Sequence, residues 1–255
     1  MTATRDHGNR FTAAARSYQR LWGDALLPHG KQLVDALPLG RLRRIVDIGT
    51  GPGALLPYIR SAAAPGAIVA GVDISRAMLA HVPPEYPVAV MDAAALGFAN
   101  AAFDAAVFAF GIYFVPDPHQ ALREVRRVVR RGGIIGLTSW FGKPTYPALD
   151  VWIEEISAAG APLTQWPADM MNPLSLRHAL ERAGFETARV WCDHFDYPHD
   201  REQFRELRTS LQAPFLASLE DGKRRQLLER VDERWSALPI DAFIDRTEII
   251  FATGT

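Results

Sequence analysis

Cysteine is almost missing from this 255-residue chain. Cys192 is the only one, which excludes an intrachain disulfide and any cysteine-rich zinc site. Excess charge of one sign is missing too: 28 Lys and Arg stand against 29 Asp and Glu, a formal net charge of −1. Proteins that coat nucleic-acid phosphates carry a basic surplus, so no nucleic-acid partner is expected. The local cluster Arg123, Arg126, Arg127, Arg130 and Arg131 reads as a solvated helix face. Lysine occurs only as Lys31, Lys143 and Lys223; with abundant alanine, that bias toward arginine fits a GC-rich bacterial genome. No stretch approaches the roughly 18 apolar residues of a membrane span, and the opening Met-Thr-Ala-Thr-Arg-Asp-His-Gly forms no apolar signal core. The expectation is a cytoplasmic protein with no membrane partner. Repeats and low-complexity tracts are also lacking. What is present is apolar substance, 48% of residues, enough for one α/β domain with a large core.

Residues 43–53 read Arg-Arg-Ile-Val-Asp-Ile-Gly-Thr-Gly-Pro-Gly. A short apolar run that ends in an acid and breaks into alternating glycines describes a buried parallel strand entering a tight turn. Gly49, Gly51 and Gly53 free one side of that turn of β-carbons, so the backbone can press on a ligand and a helix can start behind it. Gly49, Gly51 and Ala54 also satisfy the dinucleotide fingerprint G-x-G-x-x-G/A, which leaves a nicotinamide cofactor and S-adenosylmethionine both open. Asp47 separates them. Its carboxylate would repel a pyrophosphate and attract an ammonium, held directly or through water. The nicotinamide reading also lacks its chemistry, since no tyrosine has a lysine four residues on.

Helical patterns at 9–20 and 24–37 precede the turn. After it, helix and strand alternate: a helix from Gly53, strand 67–72, helix from Ser75, strands 87–91 and 103–109, helix 118–130, strand 133–138. Then come helix 173–183, strand 185–194, helices 201–211 and 219–235, and a last strand 246–252. The alternation predicts a parallel sheet wound by helices. Asp117-Pro118-His119-Gln120 reads as a helix start with an acid N-cap and a capping box completed by Gln120.

The Asp47-x-Gly49-x-Gly51-x-Gly53 run resembles motif I of the class I S-adenosylmethionine-dependent methyltransferases. Asp73, about 20 residues beyond the turn, stands where a carboxylate accepts both ribose hydroxyls. Asp92, ending the third strand, resembles the acid that accepts from the adenine amine, with Ile74 on the adenine face. Phe103 to Pro118, then Leu122-Arg-Glu124 and Arg131-Gly132-Gly133, are similar to the methyltransferases of ubiquinone and menaquinone biosynthesis and their relatives in secondary metabolism. The resemblance covers about 11–138. It implies a Rossmann-like sheet of seven mostly parallel strands with an antiparallel last strand, helices on both faces, a helical N-terminal cap and lid insertions. A single domain is expected, with cap 1–40, cofactor-binding core 41–140, and lid segments 141–184 and 195–245. It also implies a cofactor-facing set completed by Tyr18, Thr50, Met78, Ala93 and Phe110.

Relatives often carry histidines after the fourth strand, where this chain has Ile112-Tyr113-Phe114. The base candidates are therefore His194, at an expected strand end, then His119 and Tyr113. No metal is expected: Asp104 lies at the wrong end of its strand, Asp117 is a cap, and His178 with Glu181 form an exposed pair without a third ligand. Phe11, Tyr18 and Trp22 from the cap, with Trp140, Phe141, Tyr146, Trp152, Trp166, Met170 and Met171, suit a flat or apolar small-molecule acceptor. A monomer or homodimer is expected. The leading reading is methyl transfer from S-adenosylmethionine, with S-adenosylhomocysteine as product, to oxygen, carbon or nitrogen of a natural product or quinone-like compound. The alternative keeps the cofactor without the transfer, as a pericyclic-type cyclase or a regulatory binding module.

Overall fold

The computed structural model describes residues 23–162, 166–186 and 188–255. Its strands are β1 (Arg44–Ile48), β2 (Ile68–Asp73), β3 (Val88–Val90), β4 (Phe103–Phe108), β5 (Val129–Trp140), β6 (Arg189–Pro198) and β7 (Ile244–Gly254). They form one sheet in the order β3-β2-β1-β4-β5-β7-β6, with β7 antiparallel to both of its neighbours and every other pairing parallel. Around it run α1 (Asp24–Asp35), α2 (Leu56–Ala62), α3 (Arg76–Leu79), α4 (Pro118–Val128), α5 (Pro147–Ala158), α6 (Pro173–Arg182), α7 (Arg201–Leu211), α8 (Ala213–Ser218) and α9 (Asp221–Ser236). This is the expected Rossmann-like, seven-stranded architecture. Among the described residues no helix is long and apolar enough to cross a membrane.

Central strands β1 and β4 are apolar and buried on both faces, as a sheet covered by helices on each side requires. Their cover comes from helices with one apolar stripe. In α4, Ala121, Leu122, Val125 and Val128 are buried at helical spacing. Asp117 caps its start by accepting from the Gln120 N–H at 2.9 Å, but the capping box is not closed. The Gln120 side chain instead reaches the Ala94 carbonyl and accepts from Arg123. The expectation of a merely solvated arginine face also needs correction. Arg127 donates to the Leu96 and Phe98 carbonyls and to Glu124, Arg126 to Gly184 O, and Arg130 to Asp104. These guanidiniums satisfy loop carbonyls that would otherwise lose their partners.

The strand order reverses between β1 and β4, and the crevice beyond their carboxyl ends is where an open α/β sheet takes a ligand. Two features reach over that edge. Strands β6 and β7 continue past β5: Trp140 pairs with Ile249, the Phe141 N–H donates to the Glu248 carbonyl, and residues 244–247 pair only with 195–198. On this two-stranded arm sits a second apolar core of Tyr146, Trp152, Phe204, Val231, Trp235 and Phe243. Helix α5, missing from the expected elements although Pro147 at its start and Gly160 past its end mark it, supplies Leu149 and Trp152 to it, whereas Leu176, Ala179 and Leu180 of α6 belong to the core of the sheet. The expected lid segment 141–184 is therefore divided between the two cores.

Candidate functional site

One cavity occupies the crevice. Its wall is formed by Ile48, Gly49 and Gly51 after β1, Val72, Asp73, Ile74 and Met78 around β2, Met91, Asp92 and Ala93 after β3, and Phe108, Phe110, Gly111 and Phe114 to Pro116 after β4. The three glycines of the turn all take positive φ, +66°, +55° and +82°, the region that residues with a β-carbon avoid. A β-carbon on Gly51 would meet nothing within 4 Å. The turn thus leaves open space on its cavity side, as a bound small molecule would need.

Asp73 ties that turn down. Its Oδ2 accepts the Gly51 N–H at 2.9 Å and its Oδ1 the Ser75 N–H at 2.8 Å. Each oxygen keeps a lone pair for a ligand hydroxyl. Burial raises its pKa, against the pull of those amides. Asp92, on the neighbouring strand end, spends Oδ1 on the Ala94 N–H at 2.9 Å.

Asp47 differs from expectation. It is buried and not part of the cavity wall, so direct contact with a ligand ammonium is not what this geometry offers. Thr50 lies between: its hydroxyl donates to Asp47 Oδ2 at 2.7 Å, and it too is buried rather than wall-forming. Burial, with a contribution from the nearby Asp73 charge, pushes the Asp47 pKa up to about 7. Room for Thr50 is made by Gly71, the cross-strand neighbour of Asp47, where a β-carbon would come within 2.8 Å of Thr50 Cγ2. Gly71 is a site residue that the sequence reading missed. Gly53 likewise faces protein, against Leu56 and Val82. Phe110 is on the wall in a strained left-handed conformation, φ +53°, fixed by its N–H donating to Thr138 Oγ1 at 2.9 Å. Tyr18 lies outside the described residues, as do Phe11 and Trp22.

None of the base candidates reaches the wall. His194 was expected at a strand end, but β6 runs on to Pro198, so alternation turns His194 outward, opposite Glu248, and its neighbour Phe195 inward. His119 is paired with Asp169, at 2.5 Å. Tyr113 is buried against Phe114 and Trp166, ring centroids 4.5 and 5.4 Å away. Asp104 holds the opposite end of the sheet, accepting from the Arg43 and Arg44 amides and from Arg130. Among the described residues no group of three or more His, Cys, Asp or Glu is arranged to hold a metal.

The expected aromatic lining is likewise redistributed. Trp152 stacks on Trp235 at 6.0 Å inside the second core, and Met170 and Met171 are in the core of the sheet. Of the expected set, Trp140 packs against the wall residue Phe110, and a row of rings continues from it. Phe110 meets Trp140 at 5.6 Å, Trp140 meets Phe195 at 5.1 Å, and Tyr197 and His199 follow on the same face of the arm. The alternation Phe195, Tyr197, His199 against exposed His194 and Asp196 was the available signal.

Residues 46–137 match the family described as a methyltransferase domain. An uncharacterised protein of Mycobacterium tuberculosis is 31% identical over 206 residues, covering 71% of this chain and 73% of its own. Aklanonic acid methyltransferase DauC of a Streptomyces species is 32% identical over 149 residues, 54% of this chain and 67% of that one. Among solved structures, the 4+2 cyclase SpnF shares the fold with a TM-score of 0.60 at 17% identity, over 99% of this chain and 96% of the other.

Proposed function

The chain belongs to the class I S-adenosylmethionine-dependent methyltransferases, and from that premise we propose that it methylates a flat, largely apolar small-molecule acceptor. The observation that carries the proposal is the convergence of Gly49, Gly51, Asp73 and Asp92 on one otherwise apolar cavity. When bound, S-adenosylmethionine supplies a sulfonium carbon open to in-line attack. Asp73 would accept from the ribose hydroxyls with the lone pairs that Gly51 and Ser75 leave unused, and Asp92 from the adenine amine. Ile74, Met78 and Ala93 would pack on the adenine, and the open side of Gly51 would admit the methionine end. Asp47 acts from behind the turn, orienting it through Thr50. Phe110 and Trp140 begin the acceptor side. Alignment and exclusion of water are the main demands of methyl transfer, and among the described residues no histidine stands on the wall to take the acceptor's proton.

One observation favours a second reading, cofactor binding without transfer: His194, His119 and Tyr113 are all absent from the cavity wall. Incubating the protein with methyl-labelled S-adenosylmethionine and an extract of the source organism separates the two. A labelled product supports transfer, while tight binding with no product supports the alternative. Calorimetry showing micromolar NAD affinity and none for S-adenosylmethionine would sink both.

A further inference from the structure

Pairing of β4 with β5 ends at Phe108 and Leu137, so the Phe110 N–H beyond it has no ladder partner. A side chain satisfies it instead. The amide donates at 2.9 Å to Oγ1 of Thr138, a fully buried residue one position past the last pair. Phe110 is thereby held at φ +53°, one of two residues other than glycine with positive φ among those described, a conformation that persists only where its surroundings impose it. In it the Phe110 ring forms part of the cavity wall and also packs on Trp140. Phe108 closes the other side of this turn. Its ring, likewise on the wall, covers Gly111, where a β-carbon would come within 2.5 Å of Cε2, and reaches Gly49 of the first turn, where one would come within 3.4 Å. One ring is thus fitted to a glycine in each of the two turns that border the cavity.

We propose that Thr138 and Phe108 are positioning residues of the methyl-transfer site, holding Phe110 in the left-handed conformation that sets its ring between cofactor and acceptor. The inference rests on the methyltransferase reading and gives a role to Thr138, which is not part of the cavity wall and acts through Phe110. Without the hydroxyl the Phe110 amide must seek another acceptor, the backbone relaxes out of the left-handed region, and the side chain swings off the wall.

Calorimetric titration of S-adenosylhomocysteine into folded variants of the full chain tests this. Thr138→Val keeps the side chain's shape and suits a strand but removes the acceptor, and affinity should fall about tenfold. Thr138→Ser restores the hydroxyl and should bind within about threefold of the wild type. Phe110→Gly should bind about as weakly as Thr138→Val; because glycine takes a positive φ unaided and has no ring to place, adding Thr138→Val to it should cost nothing further. A general structural contribution of Thr138 would lower affinity equally in both backgrounds. If Thr138→Val fails to fold, the Phe108 contact decides. Gly111 has φ −119°, open to any residue, so only the Phe108 ring obstructs Gly111→Ala; that variant should bind about tenfold more weakly, and adding Phe108→Leu should recover most of the loss. Unchanged affinity in Thr138→Val, no recovery with serine, equal losses in the two backgrounds, or no gain from Phe108→Leu overturns the inference. Failure of S-adenosylhomocysteine to bind the wild-type chain would instead overturn the methyltransferase reading.

Discussion

Replacing Asp73 with alanine tests two linked roles of one carboxylate. Without ligand, Asp73 holds the Gly51 and Ser75 amides, and Ser75 is fully buried. Hydrogen bonds to a charged group contribute roughly 1.5–3 kcal/mol each. The cost of burying the acid offsets part of this, since that burial is what raises its pKa. The net loss for Asp73→Ala should be about 2–4 kcal/mol, and at about 2–4 °C per kcal/mol for a domain of this size the midpoint should fall by roughly 5–15 °C. Asp73→Asn keeps one acceptor oxygen and should lose about half as much. Affinity for S-adenosylhomocysteine should fall by roughly 1.5–3 kcal/mol from the ribose contacts alone, about 10- to 150-fold, and further because the turn is released. Thermal denaturation without ligand, then calorimetric titration of the folded variant, reads both. A variant that melts like the wild type would refute the tie between turn and strand. A folded variant with unchanged affinity would show that the ribose is held elsewhere.

Asp47 binds its proton more tightly folded, at about 7, than unfolded, at 3.8. Stability without ligand should therefore be greatest below about pH 4 as far as this group is concerned, and fall as pH rises toward 7. The full shift is worth on the order of 4 kcal/mol. Urea midpoints across that range should flatten in Asp47→Asn, and an equal slope in the variant would assign the effect to other groups. Gly51→Val should abolish cofactor binding in calorimetry, because a branched side chain would enter the cavity and the left-handed φ costs it about 1–3 kcal/mol; retained affinity would remove Gly51 from the site. Trp152→Ala should lower stability by about 3–5 kcal/mol through the cavity left against Trp235, with S-adenosylhomocysteine affinity unchanged in the folded protein. His194→Ala should leave labelled-methyl transfer at the wild-type rate, since its side chain faces away from the aromatic row. A large fall in kcat would restore it as a base.

The glycine turn and the strand-end acids that line the cavity were legible in the sequence because their signals are local. A turn that needs positive φ must recruit glycines at 49, 51 and 53, and acids at strand ends must stand at the spacing one βα unit imposes, so Asp73 and Asp92 fall beside the turn once a parallel sheet is inferred. Wherever a residue's role depended on chain distant in sequence, the reading went astray. His194 was placed at a strand end because nothing near it shows that β7 pairs with β6 as far as Pro198; that pairing extends the strand and turns His194 outward. Asp47 was expected to hold an ammonium directly or through water, and the direct contact is not offered because Thr50 and Gly71 pack it behind the turn, a fit that depends on contact across two strands. Trp152, apolar and near the lid, looked like a pocket wall until Trp235, some 80 residues later, was found stacked on it. Local spacing determines turns, caps and the faces of single elements. Which apolar face closes a core and which is left for a ligand is decided only when distant segments compete for the same surface, and that competition put Trp152 inside and turned His194 outward.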